Sequence, residues 1–132
     1  METPAIKFDD VYGQERIKKF LLNAYTQNRL SHGYLFVGEE GVGKVAMALA
    51  FSKALLCTGS APRPCGVCKS CKMFAARSHP NLKIIFPHPR SAKDQDIQAV
   101  LQSIYQQPYL VKKLWSAPNI SIEDVRTLRR EL

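Results

Sequence analysis

Two clusters in this chain have residue types and spacings that can do chemistry. Gly38-Glu39-Glu40-Gly41-Val42-Gly43-Lys44 fits the pattern G-x-x-x-x-G-K. Cys65-Gly66-Val67-Cys68-Lys69-Ser70-Cys71 gives two overlapping C-x-x-C steps, with Cys57 upstream. In the first cluster, glycines let backbone N–H groups turn inward around phosphate oxygens. A helix opening at Lys44 adds its positive N-terminal end, and the lysine supplies a point charge for outer phosphates. The candidate nucleotide-binding set is Gly38, Gly41, Val42, Gly43, Lys44 and Val45.

Val45 stands where this pattern normally carries Ser or Thr, so a magnesium ion there lacks a hydroxyl ligand. Glu39 and Glu40 add negative charge beside the loop. A hydrolysing site also needs an acidic residue at the end of a later apolar strand. No stretch after Val45 has four apolar residues ending in an acidic pair. The sequence therefore assigns no catalytic residue and no activity to this chain alone, and leaves ATP or ADP binding open.

In the second cluster, Cys57, Cys65, Cys68 and Cys71 offer the four thiolates of a tetrahedral zinc site. A closed set of this kind has no open position and is structural. Gly66 eases the tight turn, and Lys69 and Lys72 offset thiolate charge. Free thiols, disulfides, a redox-active C-x-x-C pair and an iron–sulfur cluster are the rival readings. His79, nearby, is either a replacement ligand or part of a local turn.

These clusters need elements to hold them. Residues 14–30 read as a helix, with Ile17, Phe20, Leu21, Ala24 and Tyr25 at helical spacing. Residues 34–37 form a short apolar run between Gly33 and Gly38, the pattern of a buried central strand in a parallel sheet. Residues 44–56 read as an alanine-rich helix, and 72–76 as the continuation of a short helix begun inside the cysteine segment. Residues 82–86 are a second candidate strand, ended by Pro87 and Pro89. Residues 92–106 read as a helix. Ser121 opens a last helix in a capping-box-like pattern with Asp124. The strand–loop–helix order implies an α/β fold.

Three histidines lie near these features. His32 either faces a nucleotide or packs beneath the loop, the second being favoured. His88, between prolines, reads as solvated. Tyr105, Tyr109 and Trp115 with Lys112 and Lys113 suggest either a base-stacking patch or the small core of an insertion. Arg126, Arg129 and Arg130 read as a solvated face.

The chain has 132 residues, 45% of them hydrophobic and 23% charged, which excludes disorder and favours one packed core. A net charge of +8 is compatible with a polyanionic partner. The first residues carry Glu2, Asp9 and Asp10 and no apolar signal core, and no run approaches the roughly 18 apolar residues that span a bilayer. A cytoplasmic location, without membrane, is expected. The four cysteines in a reducing compartment then favour metal over disulfides.

Val11-Tyr12-Gly13-Gln14-Glu15, the run from Ser31 to Gly38, Gly41-Val42-Gly43-Lys44, Leu55-Leu56-Cys57, the run Cys65 to Cys71, and Ser78-His79-Pro80-Asn81-Leu82 occur in an order that resembles one family. It is the N-terminal AAA+ region of bacterial DNA polymerase III clamp-loader subunits, delta-prime and its paralogue gamma/tau. The resemblance covers residues 8–86 and returns at 120–126. It implies a partial P-loop AAA+ three-layer sandwich with parallel strands, carrying an inserted zinc-binding module at 57–72. Residues 87–119 are an insertion relative to the family. In the family, the segment resembling 121–132 is followed by the Walker B strand, the sensor motifs, a Ser-Arg-Cys arginine finger, a lid and a collar, so residues 1–132 are expected to be truncated before the Walker B strand.

Gamma/tau has threonine after the loop lysine and hydrolyses ATP, whereas delta-prime loops are often degraded. Val45 therefore favours a non-catalytic delta-prime-like subunit. The implied partners are gamma/tau and delta, with the sliding clamp and primer-template DNA reached through the complex. Three alternatives stand beside it: a gamma/tau-type ATPase, a zinc-stabilised nucleic-acid-binding module with a dead loop, and a thiol oxidoreductase.

Overall fold

The computed structural model describes residues 5–110, 115 and 120–131. They form two compact units, Met1–His79 and Pro80–Leu132.

Among its described residues the first unit holds three helices: α1 (Glu15–Thr26), α2 (Lys44–Leu56) and α3 (Lys69–Ala75). Helix α2 has the bounds that its sequence implies. Ala46, Met47, Ala50, Phe51 and Ala54 are buried, so its inward face recurs at helical spacing. The alanines keep that face flat, and Phe51 meets Tyr34 edge-on at 5.8 Å. Leu21 of α1, Ile6, Phe8 and Val11 are also buried, with Cys57 and Cys71.

Helix α1 stops at Thr26, short of the expected residue 30. Asn28 turns left-handed at φ 54°. Its N–H donates to the Tyr25 carbonyl at 3.2 Å, and Arg29 N–H donates to Ala24 at 2.8 Å. This pair of backward bonds is a Schellman ending, for which asparagine is the usual substitute for glycine. Helix α3 ends the same way: Arg77 sits at φ 60° and the Ser78 N–H donates to Met73 at 2.9 Å.

The strand expectations are corrected. Neither 34–37 nor 82–86 enters a ladder among the described residues, so the parallel sheet is not formed there and the architecture is helical. Exposure does alternate with the two-residue period of a strand. Leu35 and Val37 are 87% and 84% exposed, while Tyr34 and Phe36 are half-buried. An apolar run supplies side chains for two faces, but a ladder forms only where a neighbouring strand takes its backbone groups. The pairing that does occur lies elsewhere: a parallel bridge joins Ile6 to Arg63. Lys7 N–H donates to Arg63 at 2.8 Å, and Arg63 N–H donates to Ala5 at 2.9 Å.

The second unit holds α4 (Asp94–Gln106) and α5 (Ile122–Glu131). Asp94 and Asp96 sit in the first turn of α4, where its dipole favours acids. Ser121 caps α5 by accepting the Asp124 N–H at 3.1 Å, as its sequence suggests. His88 corrects the expectation of a solvated residue. Its Nε2 lies 2.9 Å from Asp124 Oδ2 with the side chain 18% exposed, and its ring sits beside Phe86 and Trp115. Arg126, Arg129 and Arg130 are exposed as expected. Lys112 and Lys113 lie outside the described residues. Among the described residues no helix is long and apolar enough to cross a membrane.

Candidate functional site

The glycine-rich loop opens α2 as its sequence implies. Gly43 occupies the N-cap at φ 97° and Gly41 sits at φ 89°. The Met47 N–H donates to the Gly43 carbonyl at 2.9 Å, closing the first turn. Lys44 folds back, its ammonium donating to the Gly38 carbonyl. Gln14 Nε2 donates to the Val42 carbonyl at 3.2 Å, so the turn before α1 clasps the loop before α2. Between them lies a cleft of about 290 Å³, lined by Gln14, Ile17, Val42, Gly43, Lys44 and Met47, with residues 35–37 along one side. Val45 is partly buried in the first turn of α2. His32 is exposed, which corrects the expectation that it packs beneath the loop.

The four cysteines converge. Their sulfurs all lie within 4.8 Å of one another. Cys65 and Cys71 are 4.0 Å apart and Cys68 and Cys57 are 3.9 Å apart. Tetrahedral zinc with bonds of ~2.3 Å sets sulfurs about 3.8 Å apart, so the donor set fits such an ion. Backbone amides aim at the sulfurs. Cys57 Sγ accepts from Gly59 at 3.4 Å and Cys65 at 3.3 Å. Cys65 Sγ accepts from Cys68 at 3.2 Å, and Cys68 Sγ from Cys71 at 3.3 Å. Such donors suit thiolates, because hydrogen bonds to a charged acceptor stabilise the charged form.

Two of the cysteines cap helices. Cys57 is the C-cap of α2, and Cys68 is the N-cap of α3, its own sulfur accepting the capping bond. The Cys71 amide holds the Cys68 thiol down at about 5, helped by Thr58. Cys65 is also lowered, first by the Val67 amide. Burial pushes the Cys71 thiol up to about 12. Gly59 approaches so closely that a Cβ there would lie 2.5 Å from Cys65 Sγ.

His79 is not among the four converging residues. It is buried, with Nε2 2.7 Å from Ser70 Oγ. The Ser70–His79 pair and the reach of Gln14 to Val42 are not visible as motifs, because each joins residues through the fold. Arg63 is a third such residue: it donates to the Tyr25 hydroxyl at 2.8 Å and lies 5.7 Å from the centre of that ring.

The chain thus carries, in one helical unit, a glycine-rich loop at the start of a helix and a four-cysteine cluster at its end. A family model described as DNA polymerase III, delta subunit, matches residues 13–132. DNA polymerase III subunit delta′ of Bacillus subtilis is 39% identical over 87 residues, covering 66% of this chain and 26% of that protein. Subunit gamma/tau of Mycoplasma pneumoniae is 33% identical over 109 residues, covering 81% and 16%. Subunit tau/gamma of Haemophilus influenzae is 39% identical over 102 residues, covering 76% and 15%. No solved structure matches the chain. The chain belongs to the family of DNA polymerase III clamp-loader subunits.

Proposed function

We propose that this chain is the N-terminal part of a delta-prime-like clamp-loader subunit, which acts by holding neighbouring subunits and does not hydrolyse ATP. The observation that carries this reading is Val45, which follows the loop lysine at the start of α2. A valine side chain has no oxygen for magnesium, and phosphoryl transfer depends on that metal. Gly38, Gly41, Val42, Gly43, Lys44 and Val45 form a degenerate nucleotide site in this reading. Lys44 gives one of its three N–H donors to the Gly38 carbonyl, which leaves two for a phosphate.

Cys57, Cys65, Cys68 and Cys71 hold a structural zinc. The zinc fixes the end of α2 to the start of α3. In this reading the exposed run at 34–37, unpaired here, becomes a strand only when the rest of a AAA+ three-layer sandwich supplies its neighbour. The partners are the gamma/tau and delta subunits, with the sliding clamp and primer-template DNA reached through the complex, in the cytoplasm.

A gamma/tau-type ATPase is the second reading, supported by the 39% identity to the Haemophilus subunit over 76% of the chain. Calorimetric titration with ATP and with ADP, with and without magnesium, separates the two, alongside Val45→Thr. No binding by the zinc-loaded, folded parent supports the delta-prime reading. Magnesium-dependent binding at micromolar affinity by the parent overturns it in favour of the ATPase.

A further inference from the structure

Ser70, inside the cysteine run, and His79 are buried polar residues, 5% and 8% exposed. Ser70 Oγ donates to the Leu56 carbonyl at 2.6 Å and lies 2.7 Å from His79 Nε2. A hydroxyl has a single hydrogen, and a carbonyl can only accept. At 2.6 Å that hydrogen must lie between the two oxygens. Ser70 can therefore meet His79 only as an acceptor, so Nε2 carries a hydrogen and donates. A ring nitrogen bearing a hydrogen has no lone pair for a metal. This geometry removes Nε2 of His79 from the ligand set and gives the residue another task.

That task follows from what the hydroxyl joins. Leu56 immediately precedes Cys57, and Ser70 immediately precedes Cys71. Cys57 ends α2, whereas Cys71 lies in α3. Ligand spacing within 65–71 is local, but the spacing of Cys57 to Cys71 must be set across two helices. We infer that Ser70 and His79 are positioning residues that fix Cys57 against Cys71, with His79 orienting the hydroxyl and the hydroxyl holding the end of α2. This rests on the reading of the cysteine cluster as a metal centre. Outer partners that orient metal ligands change affinity by about 10- to 100-fold when removed.

The test uses the full 132-residue chain. Zinc affinity is measured by chelator competition for the parent, Ser70→Ala, His79→Ala and His79→Gln. The two alanine variants are expected to bind zinc about 10- to 100-fold more weakly. His79→Gln, whose amide N–H replaces the Nε2–H, is expected to recover most of the loss. Cobalt(II) loaded into each variant is expected to keep the parent's absorption bands, because all four thiolates remain. Nitrogen-15 spectra of the parent provide a readout that needs no substitution, and Nε2 of His79 is expected to carry hydrogen. Unchanged zinc affinity in both alanine variants, altered cobalt bands in His79→Ala, or an unprotonated Nε2 each overturns the inference. A parent that binds neither zinc nor cobalt overturns the metal reading itself. Should an alanine variant fail to fold, the parent's nitrogen spectrum decides.

Discussion

Gln14 and Val42, 28 positions apart, are joined by a 3.2 Å hydrogen bond from the glutamine side chain to the loop carbonyl. Gln14 makes it from a left-handed backbone, φ 57° and ψ 39°. That conformation costs a non-glycine residue on the order of 1–2 kcal/mol, and the surrounding fold must sustain it. The loop before α2 is thereby tied to the turn before α1. In Gln14→Ala, amide exchange at Gly41, Val42 and Gly43 is expected to quicken roughly 2- to 10-fold, the scale of one net hydrogen bond. Unchanged exchange at these amides would show that the bond does not hold the loop.

The zinc reading predicts about one zinc per chain by native mass spectrometry, lost on chelation. Helix α3 begins at a ligand that is also its cap, so it should melt with the metal, lowering the far-ultraviolet helical signal. A chain that keeps its helical content after the metal is stripped would show that the cluster does not support α3.

Thiol chemistry offers a separate check on the metal-free protein. Cys68 ionises at about 5 and Cys71 at about 12, against an ordinary 9.0. At neutral pH iodoacetamide should label Cys68 first and Cys71 last, since the thiolate is the nucleophile. The sign for stability follows. Between about 5 and 9.0 the folded chain holds fewer protons at Cys68 than the unfolded chain does. The Cys68 contribution therefore grows as pH rises through that window and is lost as pH falls. Cys71 acts oppositely, and its contribution is lost as pH rises from 9.0 toward 12. Peptide mapping that finds Cys71 labelled first would contradict the geometry.

Gly59→Ala probes the tightness of the cluster. The added methyl would meet Cys65 Sγ at 2.5 Å, well inside van der Waals contact, and would push one ligand aside. Zinc affinity should fall by about tenfold or more, the scale seen when ligand orientation is disturbed. Equal affinity would mean that the 57–65 loop gives way easily.

What the sequence disclosed was mostly local. The Cys65–Cys71 spacing and the glycine loop lie within short windows, and α2 shows its bounds through Gly43 and Cys57. The early end of α1 had a signal in Asn28, since asparagine tolerates the left-handed turn that stops a helix. That 34–37 and 82–86 stay unpaired was not legible, because pairing is a property of two segments and periodicity of one. His88 was misjudged for the same reason: its neighbouring prolines are local, but Asp124 is brought to it only by the fold. Ser70 carries no signal of its own inside the cysteine motif, because its partner, the Leu56 carbonyl, reaches it only through the fold.

The Ile6–Arg63 bridge has a consequence for the order of assembly. It closes a loop that contains α1, the glycine loop and α2, and long closures cost more chain entropy than short ones. Its far end, Arg63, lies between Cys57 and Cys65. Closing the short 57–65 loop first is expected to favour the docking of the N-terminal segment, because it fixes the edge that Ile6 and Lys7 pair with. Ribosomal synthesis delivers residue 6 long before its partner, so the segment at residues 5–7 has nothing to pair with until residue 63 has emerged.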